Sequence, residues 1–160
     1  MTPAALARLL ARLAPPLEAL DEPWVIIGSG AMMILGFPIA DCPDLDILTT
    51  TSGAQALEAA WVGWRAGAYA PEPGAPFRSR FSRHVTTEGA FEVMGDLELR
   101  DTAGWRPVRA DAVERRAFGG GLWPIPTGVD QLRILKAFGR PKDLVKAEAL
   151  ARWLEGQPPA

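Results

Sequence analysis

The stretch WVIIGSGAMMILGFPIADCPDLDILTT, residues 24–50, decides how this chain folds. Its opening apolar run breaks on Gly28-Ser29-Gly30. Fourteen mostly apolar residues, 30–43, then lead to two aspartates standing two apart, Asp44 and Asp46, in a run that otherwise reads as a β-strand. Side chains two apart on a strand point the same way, so both carboxylates share one face while Leu45 and Ile47 pack on the other. Such a pair repels unless something positive lies between its members, and burying unpaired charge costs several kcal/mol that a metal ion would offset. Read alone, the pair fits first a strand end whose acids are solvated or cap the turn after Cys42-Pro43.

Working outward, 160 residues with 48% hydrophobic content fit one domain over 1–160, and a chain of that length buries about 70% of its unfolded surface. Cys42 is the one cysteine, which excludes an internal disulfide framework. The first twenty residues carry an acid, Glu18, and prolines where a signal peptide needs an uninterrupted apolar core, so the expectation is a cytoplasmic protein. No apolar run approaches the ~20 residues of a membrane span. A net charge of −2 and a pI near 5.5 give no global attraction to nucleic acid, so any polyanion site must be local.

Residues 1–22 read as a helical segment, 24–110 as a sheet region and 129–155 as C-terminal helices. Leu6, Leu9, Leu10 and Leu13 form a helical stripe that Pro15-Pro16 is expected to end. Residues 24–27 read as a buried strand, and a helix over 31–35 follows the Gly-Ser turn. A strand over 45–51 precedes a helix over 53–64 capped by Ser52. A Pro/Gly-rich loop covers 66–76. Residues 77–86 and 90–99 form a hairpin through Thr87-Glu88-Gly89, and 105–108 add a short edge strand. Helices over 129–138, closed by Gly139, and over Pro141–Glu155, with proline in its first turn, end the chain. There is no internal repeat.

The order strand, Gly-Ser turn, helix, then a strand carrying Asp-Leu-Asp resembles the signature of the nucleotidyltransferase superfamily. That superfamily includes DNA polymerase beta, the antibiotic nucleotidyltransferases and the small bacterial nucleotidyltransferases of toxin–antitoxin loci. Here the pattern reads Ile27-Gly28-Ser29, fourteen residues, Asp44-Leu45-Asp46-Ile47, a slightly long gap. The resemblance implies an α+β fold, a mixed sheet flanked by helices, and a third carboxylate from a neighbouring strand. GAFEVMGDLEL, residues 89–99, offers Glu92 in mid-strand and Asp96 after Gly95, where a bulge is expected; Glu92 is the preferred candidate. The segment PTGVDQLRILKAFGRPKDLVKAEAL, residues 126–150, resembles the end of small members of the superfamily. It sets Arg140, Lys142 and Asp143 at the start of the last helix, where backbone N–H groups and the dipole favour a phosphate. Many relatives carry an arginine and a Ser/Thr just before the first aspartate. This chain has Ala40-Asp41-Cys42-Pro43 there, which removes a phosphate contact and adds a negative charge.

The implied activity is metal-dependent transfer of NMP from an NTP to a hydroxyl acceptor with release of pyrophosphate. Asp44, Asp46 and Glu92 would be catalytic and hold Mg²⁺ or Mn²⁺; Gly28, Ser29, Arg140 and Lys142 would hold the nucleotide. The acceptor stays open among an RNA end, a protein and a small molecule, with a homodimer or a cognate partner protein as further expectations. Two alternatives stand beside this: a non-catalytic nucleotide- or partner-binding module of the same fold, and an antibiotic nucleotidyltransferase whose pocket a dimer completes. Other motifs fit less well. A dinucleotide fingerprint needs glycine where Met33 stands, no G-K-[ST] follows the turn, and a nucleophile elbow needs glycine where Ile27 stands. His84, the sole histidine, cannot build a zinc cluster and reads as a hairpin residue. Arg78 and Arg80 are expected on one strand face, where with Arg83 they form a solvated surface or meet a triphosphate. The six tryptophans read as core or interface residues.

Overall fold

The computed structural model describes residues 1–39, 42–67 and 74–157. Asp41, and the part of the Pro/Gly-rich loop over 68–73, lie outside the described residues. The chain runs α1 (Pro3–Glu18), β1 (Trp24–Ile27), α2 (Gly28–Leu35), β2 (Asp44–Thr49), α3 (Thr51–Ala60), β3 (Phe77–Val85), β4 (Ala90–Asp101), β5 (Gly104–Pro107), β6 (Val113–Phe118), β7 (Gly121–Pro126), α4 (Gly128–Phe138) and α5 (Pro141–Glu155), with a single 3-10 turn at Val62–Trp64.

The main sheet has the order β1-β2-β4-β3, and β5 pairs with the far half of β4. It is mixed: β2 runs antiparallel to β1 and parallel to β4, and β3 antiparallel to β4. This is the α+β arrangement the sequence suggests. Ile26, Leu45, Ile47, Phe91 and Val93 form one face, buried against the leucine stripe of α1 and against Ala54 and Leu57 of α3. On the other face Val25, Ile27, Leu48, Met94 and Leu97 meet Ile134 of α4. Met32 of α2 meets Leu135 of α4 and Ala147 and Leu150 of α5. The carboxylates of β2 share the second face.

Three local expectations are corrected. Helix α1 passes through Pro15 and Pro16 to Glu18 because Leu17 continues the stripe and is buried. Burying a leucine contributes about 1.5–3 kcal/mol, comparable to the roughly 3 kcal/mol that a proline costs in a helix interior. Helix α3 starts at Thr51, and its cap is Thr50 rather than Ser52: the Thr50 hydroxyl accepts the Gly53 N–H at 3.0 Å and donates to Glu22 Oε2 at 2.9 Å. Ser52 is already inside the helix. Finally, β6 and β7 form a hairpin that the sequence reading does not contain. Pro124 and Pro126 argue against a strand, yet a two-stranded ribbon leaves each strand one edge without a ladder, where a missing N–H is tolerated. Trp123 and Ile125 of this hairpin enter the main core, with Trp123 Nε1 donating to the Phe118 carbonyl at 2.8 Å.

His84 is buried on β3. It stacks on Phe91, with centroids 4.8 Å apart and planes at 9°, meets Trp61 edge-on, and shares a hydrogen bond between Nε2 and Ser82 Oγ at 3.0 Å. Burial holds its pKa below the ordinary value. The unfolded chain therefore binds a proton that the folded chain refuses, and stability falls as pH drops through about 6.5, the unfolded value. The expected outcome is that the melting temperature of His84→Phe, measured relative to wild type, rises between pH 7.5 and pH 5.5. A difference that does not move with pH would rule out this contribution.

Candidate active site

The site starts from the join of β1 and α2. Gly28, at φ +69°, follows directly on the strand and is the first residue of the helix. A Cβ there would stand 2.6 Å from Asp46 Oδ2, so a side chain is excluded by space as well as by backbone conformation. No side chain caps the first turn of α2, which presents its amides beside the carboxylates of β2. The helix begins at Gly28 itself, three residues earlier than the sequence pattern suggests.

Register then brings the acids together. Ile27 pairs with Asp46 on one side, and Asp46 pairs with Glu92 on the other. The Asp46 carboxyl makes no hydrogen bond or ion pair among the described residues, and it is pushed up to about 7. Burial is the largest cause, followed by the negative charges of Asp44 and Glu92, opposed by Lys146 and Arg140. Glu92 is also raised, first by burial and then by Asp44. Arg83 works against this: its Nη1 donates to Glu92 Oε1 and, at 3.3 Å, to Asp44 Oδ2. As the side chains stand, no group of three Asp, Glu, His or Cys residues among the described residues could hold a metal ion.

Asp96 lies elsewhere. It sits four residues beyond Glu92, about 13 Å at 3.3 Å per residue. There its Oδ2 accepts the Thr51 N–H at 2.9 Å, at the start of α3. That bond and the Thr51 hydroxyl hold its carboxyl below the ordinary range. Its φ of +48° is the one positive value for a non-glycine among the described residues.

The last helix reaches the same end of the sheet. Lys146 Nζ donates to Ser29 Oγ at 2.6 Å, which sets the second turn of α5 against the Gly-Ser turn. Lys142 acts on Glu92 through its charge. Arg140 Nε and Nη2 donate to Asp143 Oδ2 and Oδ1 at 2.5 and 3.1 Å, and its guanidinium lies over Phe77 and Phe138 at 4.9 and 5.4 Å. Lys146 is absent from the sequence reading, although it stands one turn from Lys142 on the same helix face, a spacing that could have found it.

The arginines of β3 behave differently from one another. Register slips between Arg78 and Arg80, and this bulge separates them. Arg78 pairs with Glu98 and covers Trp105 at 4.4 Å, whereas Arg80 pairs at 2.7 Å with Glu58 of α3, on the other side of the sheet. The expectation that they share a strand face is thus corrected. Cys42 is buried, donates to the Asp44 carbonyl at 3.0 Å, and has its thiol pushed up to about 12, chiefly by burial; it is no nucleophile. Among the described residues, no helix is long and apolar enough to cross a membrane.

No protein-family model matches the chain, and no curated protein does. Solved structures do. A presumed nucleotidyltransferase from Thermotoga maritima is 24% identical over 94% of this chain and 92% of its own, with a TM-score of 0.73. The lincosamide antibiotic adenylyltransferase LnuA, solved with lincomycin, is 12% identical over 90% and 95%, with a TM-score of 0.59. ANT(2″)-Ia, solved with adenylyl-2″-tobramycin, is 13% identical over 94% and 89%, with a TM-score of 0.61. The fold of this chain is the nucleotidyltransferase fold.

Proposed function

We propose that the protein is a metal-dependent nucleotidyltransferase that moves NMP from an NTP to a hydroxyl acceptor and releases pyrophosphate. The observation that carries this reading is Asp46: a carboxylate without a partner, beside Asp44 and against the uncapped start of α2. In this reading the amides at Gly28 and Ser29, with Lys146, Lys142 and Arg140, hold the triphosphate, as helix N-termini and nearby cations do for anions.

Asp44 and Asp46 fit Mg²⁺ or Mn²⁺. Both are hard oxygen donors, Mg²⁺ is usually held by one or two carboxylates together with waters and substrate phosphates, and the mutual repulsion that raises Asp46 is what a divalent cation relieves. When bound, the ion would neutralise phosphate charge and lower the pKa of the attacking hydroxyl. The acceptor oxygen forms a bond to the α-phosphorus while the bond from that phosphorus to the bridging oxygen breaks, and pyrophosphate leaves with the electron pair. Glu92 takes the hydroxyl proton, a task suited to a carboxylate whose pKa is raised toward the working pH.

A second reading, a binding module without turnover, is favoured by Arg83. Its guanidinium supplies to Asp44 and Glu92 the positive charge that a cation would otherwise supply. Turnover separates the two readings.

Two measurements test the assignment. Asp44→Asn and Asp46→Asn are expected to reduce transfer by more than the roughly 10–100-fold that outer-shell partners of a metal cost, with labelled NTP followed into acceptor fractions. Near-wild-type transfer in both variants would remove the carboxylate pair from the chemistry. The second readout is stability in EDTA. Because the Asp46 carboxyl titrates near 7 in the fold and near 3.8 in the unfolded chain, folded protein binds the extra proton, and stability falls as pH rises between these values. Asp46→Asn is therefore expected to raise the melting temperature at pH 8 by several degrees and to do so much less at pH 4. An equal effect at both values would contradict the raised carboxyl.

A further inference from the structure

On the second face of the sheet a cavity of about 650 Å³ opens from the carboxylates toward the end of α4. Asp46 and Glu92 line one part, and Phe77, Phe81, Met94, Leu97 and Phe138 line much of the rest. Resting on the transfer reaction proposed above, we propose that this cavity is the acceptor pocket and that the acceptor is a small, uncharged, ring-bearing alcohol.

Size, shape and charge each support this. A volume of this order is that of sites for drug-sized molecules, which are mostly apolar with a few polar groups that fix orientation. Phe77 and Phe138 meet edge to face with centroids 5.1 Å apart, and aromatic walls of this kind suit rings, which gain from offset or edge contacts. Among the described residues the ionisable lining groups are Asp46, Glu92, Arg78 and Arg140, two acids and two bases. Both bases are engaged, Arg78 by Glu98 and Trp105, and Arg140 by Asp143. Among the described residues the wall thus carries no excess of cation for a nucleic-acid backbone. It has no excess of acid for a polyamine. Of the groups assigned to the triphosphate, Gly28, Ser29, Lys142 and Lys146 are not among the lining residues and Arg140 is, so Asp46 and Arg140 stand where the phosphate side and the cavity meet. An alcohol seated against the phenylalanines would direct its hydroxyl toward Asp46 and Glu92, where the new bond to phosphorus forms and the proton leaves.

The test uses the full chain and thermal shift with four probes: 2-(2-naphthyl)ethanol, spermine, a short RNA oligonucleotide and Mg²⁺-ATP. The naphthyl alcohol is expected to stabilise the wild type saturably, and spermine and RNA are expected not to. Ser79→Trp, which puts a large ring into the cavity from a half-buried position, is expected to weaken the alcohol by about tenfold or more and to leave the Mg²⁺-ATP shift unchanged. Phe81→Ala, which removes one ring of the wall, carries the same expectation if Ser79→Trp does not fold. Alcohol binding that is absent, or indifferent to both variants, overturns the proposal. So does preferential stabilisation by spermine or RNA, or loss of the Mg²⁺-ATP shift in the variants, which would make the cavity a base pocket. A wild type that binds the alcohol but shows no shift with Mg²⁺-ATP would sink the transfer reading alone.

Discussion

The alternation of β2 is the constraint on which the rest depends. Leu45 and Ile47 are fully buried in the core formed with α1 and α3, so Asp44 and Asp46 must face the other way. A slip of one residue would drive both acids into that core and expose both apolar side chains, a change costing several kcal/mol per buried charge. Register is pinned from both sides, by Ile27 opposite Asp46 and by Glu92 opposite Asp46. The parallel pairing with β4 is what brings a third carboxylate to the same place; sequence distance alone would not.

That placement creates an electrostatic load, and much of the neighbouring structure answers it. Arg83, on the next strand, ties Glu92 to Asp44. Lys146 and Arg140 on and before α5 oppose the rise of Asp46, and Lys142 opposes that of Glu92. Cys42 keeps its proton under the same negative field and spends it on the Asp44 carbonyl. Since Gly28 approaches Asp46 closely enough to forbid a side chain, the first amides of α2 add their partial positive charge at the same point. Among the described residues the Asp46 carboxyl still makes no hydrogen bond or ion pair, so burial and like charge keep it raised.

The parts of this arrangement that rest on local pattern were legible in the sequence: the Gly-Ser break, the alternating aspartates, the 77–99 hairpin, Gly139 as the stop of α4, and Pro141 as the start of α5. What was not legible depends on long-range contacts. The end of α1 lies where Leu17 finds the core, a contact that the local signal of two prolines does not contain. The β6–β7 hairpin is held by Trp123 and Ile125 reaching that core. Lys146 gains its role from Ser29, 117 residues away in the chain, and the separation of Arg78 from Arg80 comes from a bulge that no composition signals.

Glu92 and Asp96 show how little residue type decides. Both are acids on β4, four positions apart, and each sits where an N–H group or a cation could serve it. Strand β2 accompanies β4 only through Gly95, and β5 pairs with it from Glu98 onward. A carboxylate before that exchange lies beside Asp46 and shares its field, so burial and repulsion raise it. A carboxylate within the exchange takes a left-handed backbone, turns to Thr51 and is lowered by that residue's hydroxyl and then by its amide. The same chemistry is thus driven in opposite directions by the change of neighbouring strand, which divides the acid of the cavity from the acid that fastens α3 to the sheet.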